Sequence, residues 1–394
     1  MQSKLNILFI HHGHAKGGAA ISLLFLAQAL IKRDHRVLVL NTTCLPEVDE
    51  LFKKSGIPTI RYRIRFFPHT TLGALRILSA GDWIYFAYWL LRYPGSWIGL
   101  RKVIKDISPD IVHYNSVTLF PYLSAAGTSV TSVVHIREGA YEGMLKIRYN
   151  LIRHLLRNQA DNIVSICEDN ADAFKIGLDK GVVIYNPVDL RKFNSTIDKR
   201  ESRIKLGISQ NAKVCLFAGG CNGVIKGLSD FAEIAKKLYS VDKSVFCLLP
   251  SAANEMDKLG IKDTFVAIES ICLITEFTYN IENWFAAADI VFVLHKTPHF
   301  SRTLLEAGAM KKPFIAYDIG GLREVALKGK GGILVPLGNT DMASEIALEL
   351  FNNPKKAEVL SRQGHKWVIE HCSATMHAEK IEHTYYKAIK RKVK

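Results

Sequence analysis

The feature that most constrains the fold of this chain is a regular alternation of short apolar runs with amphipathic segments of helical length. The runs are NILFI (6–10), RVLVLN (36–41), TIRYRI (59–64), DIVHYN (110–115), SVVHIR (132–137), NIVSI (162–166) and VVIY (182–185), then KVCLFAG (213–219), SVFCLLP (244–250), ICLI (271–274), DIVFVL (289–294), PFIAY (313–317) and GILVP (332–336). Strands this apolar are typical of parallel sheets with helices on both faces. The alternation therefore predicts an α/β fold.

The alternation stops once, in the polar stretch NPVDLRKFNSTIDKRESR (186–203), which we interpret as a linker. Because single hydrophobic cores stop growing near ~250–300 residues, a chain of 394 residues is expected to form two domains. We expect doubly wound, Rossmann-like domains over 1–188 and 189–370, facing each other across a cleft, and a helix over 371–394 that packs back on the first domain. Ligands of such sheets bind beyond the carboxyl ends of the strands.

Positive charge is concentrated in one aromatic-rich segment. The chain carries a formal charge of +15, and residues 51–105 contain ten Lys or Arg against one acid, Asp82. This composition fits an anionic membrane surface, where rings lie at the interface and cations meet phosphates. The residues assigned to that membrane or acceptor side are Arg61, Arg63, Arg65, Trp83, Trp89, Arg92 and Trp97. The alternative is a partly buried amphipathic helix; nucleic acid is not expected, because no recognition motif accompanies the charge.

The N-terminus, the length of the apolar runs and the cysteines together predict the compartment of the protein. The first apolar run is too short for a signal peptide, and no run approaches the ~18–20 residues of a spanning helix. The seven cysteines are scattered, without metal-type spacing, and are interpreted as reduced thiols. We expect a cytoplasmic protein, peripheral at the inner face of the membrane.

The loop HHGHAKGGAA (11–20) follows the first strand and opens a helix. Gly17 and Gly18 allow a ligand to approach the backbone, and N–H groups at a helix start favour an anion. The loop lacks the G-x-G-x-x-G pattern, and the second strand ends in Asn41 rather than an acid, so a dinucleotide is disfavoured. The loop's three histidines suggest a metal, but no carboxylate accompanies them, and no metal is expected.

Three further loops contain candidate residues. His135 lies near the end of a strand, where it would either contact a sugar hydroxyl or be a satisfied core histidine. The glycine-rich AGGCNGVIKGLSDF (218–231) brings Lys226 after a strand, where a lysine can bind phosphate, although a solvated lysine on a plain turn fits equally well. Thr303 and Glu306 match the capping box S/T-x-x-E, so Glu306 is either a helix cap or a ligand contact.

Together and in this order, these segments resemble the GT-B glycosyltransferases, specifically the large retaining family 4 that uses nucleotide-sugar donors. The matching pieces are GGAAISLLFLAQAL, PDIVHYNS (109–116), VVHIRE, VVIYNPVDLRKF (182–193), LFAGGCNGVIKG and FSRTLLEAGAMKKPFIAYDIGGLREV (300–325). The last is the most specific, and the resemblance covers nearly the whole chain.

The resemblance implies roles for the matching positions. Gly17 and Gly18 match the glycine pair near the donor phosphates, and His135 matches a histidine near the donor sugar. Lys226 matches the lysine that pairs with the diphosphate, and Glu306 matches the glutamate that holds the nucleotide ribose. The implied catalytic residues are His135, Lys226 and Glu306, and the implied donor-binding set is Gly17, Gly18, Gly219, Gly220, Lys226, Phe300, Ser301, Arg302, Thr303 and Glu306.

Three positions depart from the family pattern. Pro298 stands where the family has the glutamate that holds the donor sugar, the usual arginine is missing near Gly220 and Cys221, and Ala20 replaces an acid. Lys296 or Arg302 is a possible substitute partner for phosphate. We expect transfer of a sugar to a glycan or lipid-linked acceptor in cell-surface polysaccharide biosynthesis, without a metal. The alternatives are a catalytically silent nucleotide-sugar-binding protein and a nucleotide-sugar epimerase of the same fold.

Overall fold

The structure is a computed structural model that describes residues 3–15, 17–66, 79–140, 142, 146–177, 179–219, 223–254, 256, 265–266, 268–276, 278 and 280–393. The chain divides into two compact units. Unit 1 comprises Met1–Pro187 with Ala374–Lys394, and unit 2 comprises Val188–Ser373.

Unit 1 contains a parallel sheet of seven described strands in the order β3-β2-β1-β4-β5-β6-β7. The strands are β1 (Asn6–His11), β2 (Arg36–Asn41), β3 (Thr59–Arg61), β4 (Ile111–Tyr114), β5 (Thr131–Ile136), β6 (Asn162–Ser165) and β7 (Gly181–Val183). The helices are α1 (Gly18–Ile31), α2 (Pro46–Lys53), α3 (Ala80–Ile107), α4 (Ile147–Gln159), α5 (Glu168–Ala173), a 3₁₀ helix over Val117–Ala126, and the last helix, α14 (Ala374–Val393).

Both faces of this sheet are buried, because successive strand residues point to opposite sides. Leu8 and Ile10 join a core formed with α3, α4 and the 3₁₀ helix. Ile7 and Phe9 join a second core formed with α1, α2 and α14. This arrangement explains why apolar residues occupy both faces of the predicted strands.

Unit 2 contains a parallel sheet of six described strands in the order β10-β9-β8-β11-β12-β13. The strands are β8 (Lys213–Phe217), β9 (Val245–Leu249), β10 (Cys272–Ile274), β11 (Ile290–Val293), β12 (Phe314–Tyr317) and β13 (Gly332–Val335). The helices are α6 (Lys199–Lys205), α7 (Gly223–Lys226), α8 (Leu228–Val241), a 3₁₀ turn over Glu269–Ile271, α9 (Glu282–Ala287), α10 (Arg302–Ala309), α11 (Gly320–Gly329), α12 (Thr340–Asn352) and α13 (Pro354–His371). The doubly wound α/β fold predicted from the sequence is therefore confirmed.

Each sheet has one point where the strand order reverses. In unit 1 the chain winds outward in one direction from β1 and in the other from β4, and β1 and β4 are neighbours. In unit 2 the corresponding neighbours are β8 and β11. Loops at the carboxyl ends of such neighbouring strands diverge and leave a crevice, which is where doubly wound sheets bind ligands.

The predicted linker is wrong in its last five residues, because α6 begins at Lys199. The side chain of Asp198 accepts a hydrogen bond from the Glu201 N–H, at 2.7 Å, and caps the helix. This Asp-x-x-Glu pattern is a helix-start signal within an otherwise polar stretch. Within the described residues, no helix is both long and apolar enough to cross a bilayer, and the six cysteines are free thiols.

Candidate active site

Lys226 lies at the switch point of unit 2, at the end of α7. Gly227 follows it with φ +79°, and a Cβ at this position would lie 2.3 Å from the carbonyl oxygen of Leu294, so the position requires glycine. The N–H of Lys296 donates to the carbonyl of Ile225 at 2.7 Å. The segment that carries Lys226 is thus fixed against the loop that follows β11.

The start of α10 faces the same crevice, since α10 follows β11. Ser301 is the N-cap residue, with extended backbone (φ −105°, ψ 123°), and its side chain makes no capping hydrogen bond. The predicted capping box is wrong, because Thr303 is the second residue of the helix and Glu306 the fifth. Phe300 is buried and anchors the turn. The first-turn N–H groups and the helix dipole favour an anion here.

Glu306 and Arg302 form an ion pair one helical turn apart, with 3.7 Å between the carboxylate and the guanidinium. Their side chains are only 11% and 19% exposed. Burial raises the pKa of Glu306, opposed by the positive charges of Arg302, Lys192 and Lys226. Burial lowers the pKa of Arg302, opposed by Glu306 and Asp189. Lys226, Arg302 and Glu306 therefore share one electrostatic environment.

A histidine that we did not single out from the sequence lies beside these residues. His295 follows β11 and is buried, and its ring stacks on that of His299 with centroids 5.6 Å apart. Burial, His299 and Lys226 all lower the pKa of His295, so this imidazole is neutral near pH 7. The available sequence signal was its position directly after the apolar strand DIVFVL.

The suggestion that Lys296 replaces a missing phosphate partner stays a prediction, and in this structure Lys296 is paired with an acid. Its ammonium lies 2.6 Å from Asp230, which also accepts a hydrogen bond from the Tyr317 hydroxyl at 2.6 Å. Gly219 is buried in the loop after β8, and Pro298 is exposed. The predicted Gly220, and Cys221 beside it, lie outside the described residues.

At the switch point of unit 1, Gly17 is the N-cap of α1 and Gly18 is its first residue. The Gly17 backbone is extended, and its carbonyl accepts hydrogen bonds from the N–H groups of Ala20 and Ile21, at 3.0 and 3.2 Å. The glycine pair thus forms the start of a helix at the carboxyl end of β1. This position suits an anion, as expected from the sequence.

His135 is fully buried within unit 1. Its Nδ1 lies 3.2 Å from His113 Nε2 and accepts from an Arg137 N–H at 3.3 Å. Its ring stacks on that of His377, and the Tyr385 hydroxyl lies 2.7 Å from His113 Nδ1. The structure therefore describes a core histidine, the alternative to a direct sugar contact, and its catalytic role stays a prediction. His377 and Tyr385 belong to α14 and had no signal in the sequence.

Burial, Arg137 and the neighbouring histidines depress the pKa of His135, and burial with Arg137 and His377 depresses that of His113. Burial and Arg137 also lower the pKa of His11 and of His377 to about 3. These four imidazoles are neutral at physiological pH. They form the buried histidine network of unit 1.

Two family models match consecutive parts of the chain. The model described as Glycosyltransferase Family 4 matches residues 16–192, and the model described as Glycosyl transferases group 1 matches residues 198–367. The chain belongs to the GT-B glycosyltransferases. The fold and this membership agree with the resemblance found in the sequence, at the level of the fold and the transferase family.

Relatives and solved structures of GT-B glycosyltransferases extend the comparison. The chain is 27% identical over 193 residues to D-inositol 3-phosphate glycosyltransferase 1 of Catenulispora acidiphila, covering 45% of this chain and 44% of that protein. It is 27% identical over 195 residues to UDP-N-acetylglucosamine--N-acetylmuramyl-(pentapeptide) pyrophosphoryl-undecaprenol N-acetylglucosamine transferase of Caldanaerobacter subterraneus, covering 48% and 50%. The chain thus spans about half the length of these relatives.

Among solved structures, Anabaena Alr3699/HepE in complex with UDP matches with a TM-score of 0.80 and 18% identity, over 97% of this chain and 100% of that one. The same protein in complex with UDP-glucose matches with a TM-score of 0.78 and 19% identity, over 97% and 100%. At this identity the likeness concerns the fold. The likeness to these solved structures over nearly the whole chain therefore shows its fold.

The basic aromatic segment of this GT-B glycosyltransferase is centred on α3. Trp83 is 48% exposed, whereas Trp89 is buried and Trp97 half-buried. Trp89 and Trp97 lie on the core face of the helix, and their N–H groups donate to the Arg65 carbonyl and the Ser124 hydroxyl. These two residues were assigned to a membrane or acceptor side; the membrane assignment is wrong for both rings, and the acceptor assignment stays a prediction.

Arg61 is not an unpaired surface charge that could meet lipid phosphates, because its guanidinium pairs with the buried carboxylate of Asp49. By contrast, Arg63 and Arg92 are exposed. In the part of the chain that the structure describes, no group of three or more histidine, cysteine or acidic side chains is arranged to hold a metal ion.

Proposed function

We propose that this GT-B glycosyltransferase moves a sugar from a nucleotide-diphosphate sugar to a glycan or lipid-linked acceptor in cell-surface polysaccharide biosynthesis, with retention at the anomeric carbon. The observation that carries the proposal is the group formed by Lys226, Arg302 and Glu306 beside the start of α10, at the switch point of unit 2. Curated relatives named for sugar transfer and the UDP complexes of HepE support a nucleotide-sugar donor.

The donor diphosphate meets two kinds of positive group in this proposal. The Lys226 ammonium supplies a full charge, and the first turn of α10, from Phe300 to Thr303, supplies backbone N–H groups and a helix dipole. Glu306 accepts hydrogen bonds from the ribose hydroxyls, while Arg302 balances its charge when no donor is bound. Within unit 1, the Gly17–Gly18 helix start is a separate position that favours an anion.

The reaction needs charge stabilisation most of all. When the nucleoside diphosphate departs from the anomeric carbon, negative charge develops on its phosphate oxygens, and fixed donors at that position lower the barrier. Loss of one such donor typically costs ~2.7–4 kcal/mol, about 100–1,000-fold in rate. We propose that these side chains and N–H groups suffice without a metal, so turnover should persist in EDTA.

The proposal is tested with Lys226→Ala. We expect UDP to bind at least tenfold more weakly in calorimetry and turnover to fall about 100-fold or more. Lys205→Ala, an exposed lysine on α6, is the matched control and should leave both unchanged. Full turnover by Lys226→Ala would contradict the assignment, and proton NMR of the product reports whether the anomeric configuration is retained.

A silent nucleotide-sugar-binding protein is the second candidate, and Pro298 favours it. This exposed residue occupies the position where the family resemblance places a glutamate on the donor sugar. A binder without turnover would show donor affinity in calorimetry but no release of nucleoside diphosphate with any acceptor. Release of UDP that depends on acceptor would exclude this candidate.

We also propose that the outer face of α3 rests on an anionic bilayer. Ile84, Leu91 and Ile98 lie on the face opposite the buried one and are 70%, 76% and 63% exposed. This apolar stripe extends over ~21 Å, and exposed basic side chains accompany it at Arg92 and Lys102. Apolar side chains flanked by cations match the chemistry of an anionic lipid surface.

Flotation with vesicles of phosphatidylcholine and phosphatidylglycerol tests this contact. Leu91→Glu/Ile98→Glu should abolish co-flotation at low salt. The control is Val359→Glu/Ile369→Glu, which changes two exposed apolar residues of unit 2 and should float like the parent. Equal flotation of the two double variants would contradict the assignment of the α3 face.

A further inference from the structure

Unit 1 contains an open cavity of about 290 Å³ at the carboxyl ends of β2 and β3. Its wall is formed by Arg63, Arg65, Tyr85, Tyr88 and Trp89, together with His14 and short polar and apolar residues. None of its lining residues is an aspartate or glutamate. The volume is that of a small ligand site, and its lining combines aromatic rings with a few polar groups, as ligand pockets do.

Hydrogen bonds hold the walls of this cavity in place. The Arg65 carbonyl accepts from the Trp89 indole N–H at 3.1 Å and from the Tyr122 hydroxyl at 2.5 Å. The Tyr85 hydroxyl donates to the Phe66 carbonyl at 2.9 Å. The backbone at Arg65 and the ring wall on α3 are therefore joined, which positions the guanidinium relative to the rings.

The two arginines of the cavity differ from the third arginine of the same segment. Arg61 is neutralised by Asp49. Among the described residues, neither Arg63 nor Arg65 has a carboxylate within ion-pair distance, and the Arg65 guanidinium lies 5.2 Å over the Tyr88 ring. Two cations at one cavity without a partner acid favour an anionic ligand.

The ligand also needs an apolar part, because the rest of the wall is aromatic. Tyr88 is 39% exposed and belongs both to the cavity and to the outer face of α3. Ile84, four residues before it, and Leu91, three residues after it, lie on the same face of the helix. An anionic group in the cavity thus has a continuous apolar path along α3. This arrangement matches a phosphate that carries a long hydrocarbon chain.

We propose that this cavity binds the phosphate group of a lipid-linked glycosyl acceptor through Arg63 and Arg65, with the adjoining sugar or first isoprene units against Tyr85, Tyr88 and Trp89. The inference rests on the proposed glycosyl transfer and specifies its acceptor class. A soluble sugar phosphate offers the same anion to the arginines but lacks the chain that α3 would contact.

Calorimetry with farnesyl phosphate, below its micelle concentration, tests the site. The titration is run on the full chain with saturating UDP, which occupies the proposed donor site, and again without it. The test variant is Arg63→Gln/Arg65→Gln. The matched control, Lys32→Gln/Lys53→Gln, removes the same charge from exposed positions of unit 1 that lie outside α3 and do not line the cavity. Glucose 1-phosphate is the comparison ligand without the hydrocarbon chain, and farnesol is the comparison ligand without the phosphate.

We expect the affinity for farnesyl phosphate to fall at least tenfold in Arg63→Gln/Arg65→Gln and less than twofold in the control. We expect glucose 1-phosphate and farnesol each to bind at least tenfold more weakly than farnesyl phosphate. Equal weakening by both double variants would overturn the site, and equal affinity for the two phosphates would overturn the lipid assignment. Because this measurement needs no turnover, a protein that bound farnesyl phosphate but not UDP would contradict the proposed function while leaving the cavity assignment intact.

Discussion

The buried histidine network makes a quantitative prediction about pH. His11, His113, His135 and His377 are neutral in the folded chain, with pKa values depressed chiefly by burial, whereas each titrates near 6.5 when unfolded. Below pH 6.5 the unfolded state therefore binds more protons than the folded state. The free energy of unfolding of unit 1 must fall as the pH is lowered from about 6.5 toward 3.

The size of the effect follows from the shifts. One proton per molecule changes the free energy of unfolding by ~1.36 kcal/mol per pH unit, so a histidine shifted from 6.5 to about 3 contributes a loss of about 2 kcal/mol at pH 5.0. His11 and His377 together give about 4 kcal/mol, and His113 and His135, whose pKa values are also lowered by burial, shift the free energy of unfolding in the same direction. Typical domains have only ~5–15 kcal/mol in total, so unit 1 should lose a large part of its stability by pH 5.

Hydrogen exchange at pH 7.5 and 5.0, corrected for intrinsic rates, measures this loss in peptides of β4, β5 and α14. At pH 5.0 most carboxyl groups of an unfolded chain are still ionised, so the histidines dominate the difference. His377→Gln keeps a donor for the Tyr185 carbonyl, to which His377 Nδ1 lies at 2.7 Å, but cannot titrate. It should reduce the loss by about 2 kcal/mol, whereas His154→Gln on the exposed face of α4 should not. A loss below ~1 kcal/mol in the parent would refute the reasoning.

Two further substitutions test unit 2. Gly227→Ala introduces a Cβ 2.3 Å from the Leu294 carbonyl oxygen at φ +79°, so it should lower the free energy of unfolding by about 3 kcal/mol and weaken UDP binding. The control Gly338→Ala has the same φ but open space around the new Cβ, so it should lower the free energy of unfolding by less. Equal losses of stability in thermal unfolding would contradict the argument from the close contact with Leu294. Glu306→Gln should weaken UDP at least tenfold, because an amide is a poorer acceptor for ribose hydroxyls than a carboxylate; unchanged affinity in calorimetry would assign Glu306 to pairing with Arg302 alone.

The sequence predicts the strands well because a parallel strand buried on both faces is apolar throughout. Each of the thirteen predicted runs overlaps a strand, although several strands end earlier than their runs, as for TIRYRI, where β3 stops at Arg61. The loops were correctly placed for the same reason, since they follow the strands. Lys226 and Glu306 lie on the helices that follow β8 and β11, and their roles toward a donor stay predictions.

Contacts between distant parts of the chain were not predictable. His377 and Tyr385 reach His135 and His113 because α14 packs on β5, and no local pattern records that packing. The capping box failed because Ser301, two residues before Thr303, takes the extended conformation that begins the helix. Trp89 was assigned to a surface because composition reports the rings of a helix but not which side of the helix is buried.

The most direct test of the account is a crystal structure of the chain with UDP bound. The account predicts the diphosphate beside the start of α10, with Lys226 Nζ within about 3.2 Å of a phosphate oxygen and the Glu306 carboxylate accepting hydrogen bonds from the ribose hydroxyls. A diphosphate bound away from the ends of β8 and β11, or a Lys226 side chain directed into solvent while UDP is bound, would contradict it.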